Sequence, residues 1–405
     1  MAYDAAVQIP VVLFGAFDRH NFGDLLLPHI AAALMPGQRL VFAGLAQRNL
    51  RSHGGHEAVP LSRLALDSTD QPCVLVHVGG EILTCEAWQA AVMLLPPEQA
   101  QPTISYLQTR PRERLVWVRS MLGTSALAPY TVSRRQHSGL VRVIYNGVGG
   151  AGLDQVDAGL RAEVLANLRE ADAVSVRDMQ TRSHLASAGI SARLIPDPAV
   201  MVAELFGAKI RERARDGKVA QALRTFPHGY IAVQFSADFG DDDCLTQIAK
   251  QMDRIAALQG LGVVLFRAGA APWHDDLAGL GQVATLLRPG SAQLFTSIDL
   301  WDICALIAHS RAYCGSSLHG RIVATAFALP RVNLRPPASK GHSGKQAAYA
   351  ATWDDAGLPA EVEPRDTAEA IYTALAVEPE GLRHQARRLA RLYRKGFMAM
   401  CSGLT

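Results

Sequence analysis

Ala312-Tyr-Cys-Gly315-Ser316-Ser317-Leu318-His319-Gly320-Arg321-Ile-Val-Ala-Thr-Ala-Phe-Ala-Leu-Pro330 passes from a short apolar strand through a turn of small residues into an apolar helix, which the proline stops. A strand that feeds directly into a helix is the building unit of an α/β sheet. Gly315 and the two serines can present backbone N–H groups and hydroxyls at a helix start, where unsatisfied donors and the positive dipole end favour an anion. His319 falls in the first turn and Arg321 follows it. Two readings stand side by side: a cradle for a phosphate or carboxylate, and a serine-capped helix with a surface histidine and arginine.

The same unit recurs upstream. Val11 to Phe14 reads as a strand, Gly15 to Asp24 as a turn-rich loop, and Leu25 onward as a helix with Asp24 as its cap. That loop holds Asp18, Arg19, His20, Asn21 and Asp24, at the strand end where ligands bind in open α/β sheets. Asn21, Gly23 and Asp24 serve equally well to shape the turn. Val74 to Val78 is a strand buried on both faces that runs into Gly79-Gly80-Glu81. Leu115 to Val118 reads as a further strand, as does Val141 to Asn146, which leads into Gly147-Val-Gly149-Gly-Ala-Gly152. Neither glycine cluster has the spacing of a dinucleotide fingerprint or of a P-loop. Ala173 to Asp178 is a strand ending in Arg177 and Asp178. Arg177 suits either a bidentate clamp on an anion or an ion pair with a neighbouring acid.

Residues 206–229, rich in Lys and Arg, read as a solvated linker, after which a second α/β series starts at Tyr230 to Phe235. Asp238 and Asp241 to Asp243 precede the helix Cys244–Leu258, where carboxylates at a helix start explain them as well as a divalent cation does. Gly262 to Phe266 is a strand followed by a loop carrying Arg267 and His274. Leu300 to Ala308 is a helix and Arg331 to Leu334 a strand. The loop from Ser339 to Lys345 is basic, and Arg383 to Met400 is a long basic helix suited to packing back across a domain boundary. Strand–helix alternation in two halves predicts two doubly wound parallel sheets with a cleft between them. The expected domains are residues 1–205 on the acceptor side, 206–380 on the donor side, and the terminal helix 381–405.

With 405 residues, two domains of about 200 residues are the default. Hydrophobic residues at 49% against 19% charged allow sizeable cores and argue against global disorder. A net charge of +3 without a long basic run leaves no footprint for nucleic acid. The six cysteines form no Cys-x-x-Cys pair and no metal-ligand spacing, which fits reduced thiols and no metal site. The N-terminus lacks the pattern of a signal peptide and no stretch is long and apolar enough to span a bilayer, so a cytoplasmic location is expected.

Taken in order, Asn21-Phe-Gly-Asp24, Gly79-Gly80-Glu81, Gly147-Val-Gly149, Val174-Ser-Val-Arg177-Asp178, Pro196-Asp-Pro-Ala199 and Ser317-Leu-His319 resemble the motifs of the polysaccharide pyruvyltransferase family over roughly residues 10 to 335. The resemblance implies two Rossmann-like domains facing across a cleft, the arrangement called GT-B. It implies transfer of the pyruvyl group of phosphoenolpyruvate to sugar hydroxyls as a ketal, in exopolysaccharide or cell-surface glycan synthesis, without a cofactor or metal. His319 would be the acid/base, as an imidazole suits near-neutral proton transfer. Arg177 would hold the donor carboxylate or phosphate, with Ser316, Ser317, Leu318, Gly320 and Arg321 around the donor. Asn21, Asp24, Gly79, Gly80, Glu81, Gly149, Arg267 and His274 would line the acceptor side. The partners implied are phosphoenolpyruvate and a glycan, or a lipid-linked or nucleotide-linked sugar. For the basic terminal helix, a solvated face and a peripheral contact with the inner membrane face both stay open.

Two positions depart from the family pattern. Ser317 stands where the family has arginine, and Arg321, one helical turn on, is expected to reach back over the vacated position. Glu81 replaces a third glycine, either to select an acceptor or to cap a helix. A GT-B glycosyltransferase using a nucleotide sugar and a divergent, non-catalytic anion-binding protein are the competing functions.

Overall fold

The computed structural model describes residues 8–336, 344–355, 357–358 and 361–404. Among the described residues, thirteen strands fall into two sheets. The first sheet contains β1 (Val11–Phe14), β2 (Leu40–Gly44), β3 (Arg48–Asn49), β4 (Glu57–Pro60), β5 (Cys73–His77), β6 (Leu140–Val148), β7 (Ala173–Val176) and β8 (Arg193–Leu194). The second contains β9 (Tyr230–Gln234), β10 (Gly262–Phe266), β11 (Ala292–Phe295), β12 (Ala312–Gly315) and β13 (Arg331–Asn333). Their orders are β3-β4-β2-β1-β5-β6-β7-β8 and β11-β10-β9-β12-β13. All pairings are parallel except the edge pair β3–β4, which is antiparallel.

The central strands are fully buried: β1, β5, β9, β10 and β12 expose no residue, because helices cover both faces. The strand order turns back at β1, between β2 and β5, and again at β9, between β10 and β12. At such switch points the loops diverge to opposite faces and leave a crevice at the carboxyl ends. In this chain the two crevices open into one cleft.

Three sequence expectations are corrected here. Leu115 to Val118 is part of the helix Pro111–Leu122, which starts on a proline and ends on Gly123 in the left-handed conformation (φ 67°). Residues 206–229 are not a solvated linker, because the helices Val202–Arg213 and Gly217–Thr225 occupy most of them and bury Ile210, Val219 and Ala222. The cap of the first helix, Phe22–Ala33, is Asn21 rather than Asp24, since Asn21 Oδ1 accepts from the N–H groups of Gly23 and Asp24 at 3.0 and 3.4 Å. Of the basic loop expected at Ser339 to Lys345, only Gly344 and Lys345 fall within the described residues.

Seams of hydrogen bonds join the sheets. Behind the cleft, Phe22 N–H donates to Ala268 O, while Ala270 and Ala271 N–H donate to His20 O, at 2.9, 3.1 and 3.2 Å. At the far side, the helix Pro379–Met400 lies against the first sheet, where Arg142 donates to Met400 O at 2.7 Å and Tyr393 OH to Asn146 Oδ1 at 3.2 Å. All six cysteines are buried free thiols, and no helix among the described residues is long and apolar enough to cross a membrane.

Candidate active site

The cleft encloses about 490 Å³ and is walled by loops from the carboxyl ends of both sheets. The β1 loop contributes Arg19, Asn21 and Asp24, and the β5 loop contributes Glu81. Facing them are Gln234 at the end of β9 and Ser236 after it, His274 and Asp275 after β10, and Ser316 to His319 after β12.

Arg177 reaches the cleft from the end of β7 and is 1% exposed. Its Nη1 donates to Asp197 Oδ2 at 3.0 Å and its Nη2 to Glu81 Oε2 at 2.6 Å. Burial alone would lower its pKa, but Glu81, Asp197 and Asp178 together raise it, so the guanidinium stays charged. Gly149 leaves the room for this pair, because a Cβ there would stand 2.4 Å from Glu81 Oε2 and 2.6 Å from Arg177 Nη2. Asp178 is not the partner. Its carboxylate caps the next helix by accepting from Thr181 N–H at 2.7 Å.

His319 is 8% exposed, with Nε2 lying 3.5 Å from Asp197 Oδ2. That distance is an ion-pair contact but too long for a good hydrogen bond, and Nε2 is otherwise enclosed without a partner. Asp197 is itself fully buried between His319 and Arg177. Burial raises its pKa, but His319 and Arg177 beside it outweigh that and hold the carboxyl down at about 2. One carboxylate thus braces both residues to which the sequence assigned the chemistry.

Ser317 caps the helix Leu318–Ala326, its Oγ accepting from Gly320 N–H at 3.2 Å. Its own N–H donates to Gln234 Oε1 at 2.8 Å, and Ser316 Oγ accepts from Ser236 N–H at 2.9 Å. The serines, Leu318 and His319 line the cleft. Gly320 lies behind them, where a Cβ would meet Tyr313 OH at 2.4 Å.

Arg321 does not reach over Ser317. It is 0% exposed and turns to the far side of the helix, where Nε donates to Asp354 Oδ2 and Nη1 to Asn333 Oδ1, both at 3.1 Å. Asp354 also accepts from Arg331 at 2.6 Å. A buried carboxylate shared by two guanidinia holds Arg321 more strongly than an open cleft can. Arg267 is likewise not among the residues lining the cleft. Gly79 and Gly80 shape the β5 loop with φ of 117° and 91°, and Gly80 O accepts from Gly149 N–H at 2.8 Å.

Two further lining groups come from the β10 loop. His274 is held neutral, its pKa lowered to about 3 by burial and by the charges of Arg19 and Lys345. Asp275, which the sequence did not single out, is pushed up to about 7 by burial, although Ala268 N–H and the Gln234 amide donate to it. It therefore shares a proton near neutral pH. Only its place in a loop at the end of a buried strand could have flagged it.

The family model described as "Polysaccharide pyruvyl transferase" matches residues 21–336. The chain belongs to this family. No curated protein matches it. Among solved structures, the S. aureus MnaA–UDP co-structure is 13% identical, with 96% of this chain and 93% of that one covered and a TM-score of 0.53. The UDP-N-acetylglucosamine 2-epimerase of Rickettsia bellii is 11% identical, covering 97% and 95% with a TM-score of 0.54. The N-terminal domain of Candida albicans trehalose-6-phosphate phosphatase is 9% identical, covering 98% and 99% with a TM-score of 0.51. These likenesses establish the two-sheet GT-B-like fold. In this pyruvyl transferase family member, Asn21 to Asp24, Glu81, Arg177, Asp197 and Ser317 to His319 converge although they come from distant parts of the sequence.

Proposed function

We propose that this protein transfers the pyruvyl group of phosphoenolpyruvate to two hydroxyls of a sugar, forming a ketal on a cell-surface glycan or its lipid-linked or nucleotide-linked precursor. The observation carrying this reading is His319, a histidine at a helix N-terminus in the cleft, braced from behind by the ionised Asp197. In the reaction, a proton adds to the methylene carbon of the donor and makes it a methyl. One sugar oxygen bonds to the central carbon, the bond from that carbon to the phosphate oxygen breaks, and the second sugar oxygen completes the ketal. Of the two hydroxyl protons, one balances the new methyl and the other leaves with phosphate. His319 and Asp275, with its proton held loosely at neutral pH, are the groups suited to carry them. Arg177 keeps Glu81 and Asp197 in place.

The decisive experiment incubates the protein with phosphoenolpyruvate and a pool of candidate glycans, followed by mass spectrometry. A mass gain of one pyruvate less one water, with release of inorganic phosphate, supports the reading, and its absence across acceptors sinks it. The second reading, a nucleotide-sugar transferase, draws on Glu361, a carboxylate of the cleft on the second-sheet side that could meet a ribose. Stabilisation by UDP-sugars but not by phosphoenolpyruvate in a thermal-shift assay would favour it.

A further inference from the structure

Four side chains in the cleft wall carry fixed positive charge: Arg19, Arg177, Arg335 and Lys345. Arg177 is matched by two carboxylates, and Arg335 donates to Glu363 at 2.8 Å. Lys345 is exposed at the start of its helix, where water solvates it.

Arg19 differs from all three. No carboxylate lies within ion-pair distance of it among the described residues, and its Nε is enclosed without a hydrogen-bond partner. Its Nη1 donates to Tyr130 OH at 3.3 Å, and its guanidinium carbon sits 5.3 Å from the centre of that ring. Tyr130 is fixed in turn by donating to Asp18 Oδ1 at 3.2 Å, while Asp18 Oδ2 accepts from the N–H groups of Leu45 and Ala46 at 2.6 and 3.0 Å. Asp24, on the same wall, acts on Arg19 only through space. A chain of three side chains therefore aims a cation into a partly desolvated cleft and leaves its Nε without a partner. Such a charge is costly until an anion meets it, and a planar fork held in advance suits a carboxylate or phosphate.

We propose that Arg19 is the principal anchor for the anionic group of the substrate. On the pyruvyl-transfer reading, on which the donor's identity rests, that group is the carboxylate or phosphate of phosphoenolpyruvate. Arg19 acts from the first sheet, and Arg321, held by Asp354 and Asn333, has no part in it.

Calorimetric titration of the full chain with phosphoenolpyruvate, UDP and inorganic phosphate tests this, using wild type, Arg19→Gln and Arg19→Lys. Loss of charge-assisted bonds should weaken phosphoenolpyruvate binding in Arg19→Gln by roughly 10- to 100-fold and flatten its salt dependence. Arg19→Lys should restore part of the affinity, since the charge returns without the fork. Equal affinity in wild type and Arg19→Gln overturns the proposal and leaves pyruvyl transfer standing. A wild type that ignores phosphoenolpyruvate but binds UDP, with UDP binding lost in Arg19→Gln, sinks the pyruvyl-transfer reading and keeps Arg19 as the anchor. A wild type that binds none of the three overturns it. Should Arg19→Gln fail to fold, Tyr130→Phe removes only the hydroxyl that seats Arg19, and a several-fold weakening is expected. No change in that variant would count against the proposal.

Discussion

Gly23 and His319, from helices that follow the central strands of different sheets, are packed so closely that a Cβ on Gly23 would stand 2.0 Å from His319 Nδ1. The glycine of the Asn21-Phe-Gly-Asp24 motif is thus the seat of the imidazole. Gly23→Ala should push the ring out of place, and a displacement of about 1 Å can lower turnover on the order of 100-fold. Ketal formation and far-UV circular dichroism measured together check this. Near-wild-type turnover in a folded Gly23→Ala variant would show that the seat is dispensable.

His319→Ala should reduce turnover by roughly 100- to 10,000-fold, the range general acid–base groups supply. Its thermal midpoint should move by only a few degrees, because Asp197 keeps its 3.0 Å bond from Arg177. Retention of near-wild-type rates would remove the imidazole from the chemistry.

Asp275 gives a pH signature. Its carboxyl titrates near 7 in the folded chain against 3.8 for a free side chain, so the folded state holds a proton that the unfolded chain releases. The stability tied to this group is full below about 4 and is lost as pH rises towards 7. Asp275→Asn lacks that loss, so its melting temperature relative to wild type should climb between about pH 4 and pH 7 and level off above. A constant difference across that range would place the carboxyl at an ordinary value.

Arg321→Met should destabilise the fold by about 3 kcal/mol, the lower end for breaking a buried ion pair, since Asp354 retains Arg331. Chemical denaturation measures it. Donor affinity of the folded protein should be unchanged, which separates this residue from Arg19.

The sequence carried the architecture where local signals were strong. Leu300–Ala308 is a helix with the bounds its apolar spacing implied, and β10 spans Gly262–Phe266 as its glycine start and apolar run suggested. It failed at Leu115 to Val118, where an apolar run with two valines outweighed the Pro111 start and Gly123 stop that mark a helix. It also failed at Arg321, whose partner Asp354 lies 33 residues away and is joined to it only by the tertiary fold. Asp197 was visible within Pro196-Asp-Pro-Ala199, but nothing local shows that it stands between Arg177 and His319. Arg19 was equally visible, and its significance is a missing counter-ion, which no periodicity encodes.

The seam of backbone hydrogen bonds from His20 and Phe22 to Ala268, Ala270 and Ala271 lies one residue from Arg19. Widening the cleft by swinging one sheet away from the other requires these bonds to break together. The spacing of the two cleft walls along this line is therefore set by main-chain geometry, as a gauge is set by a fixed stop.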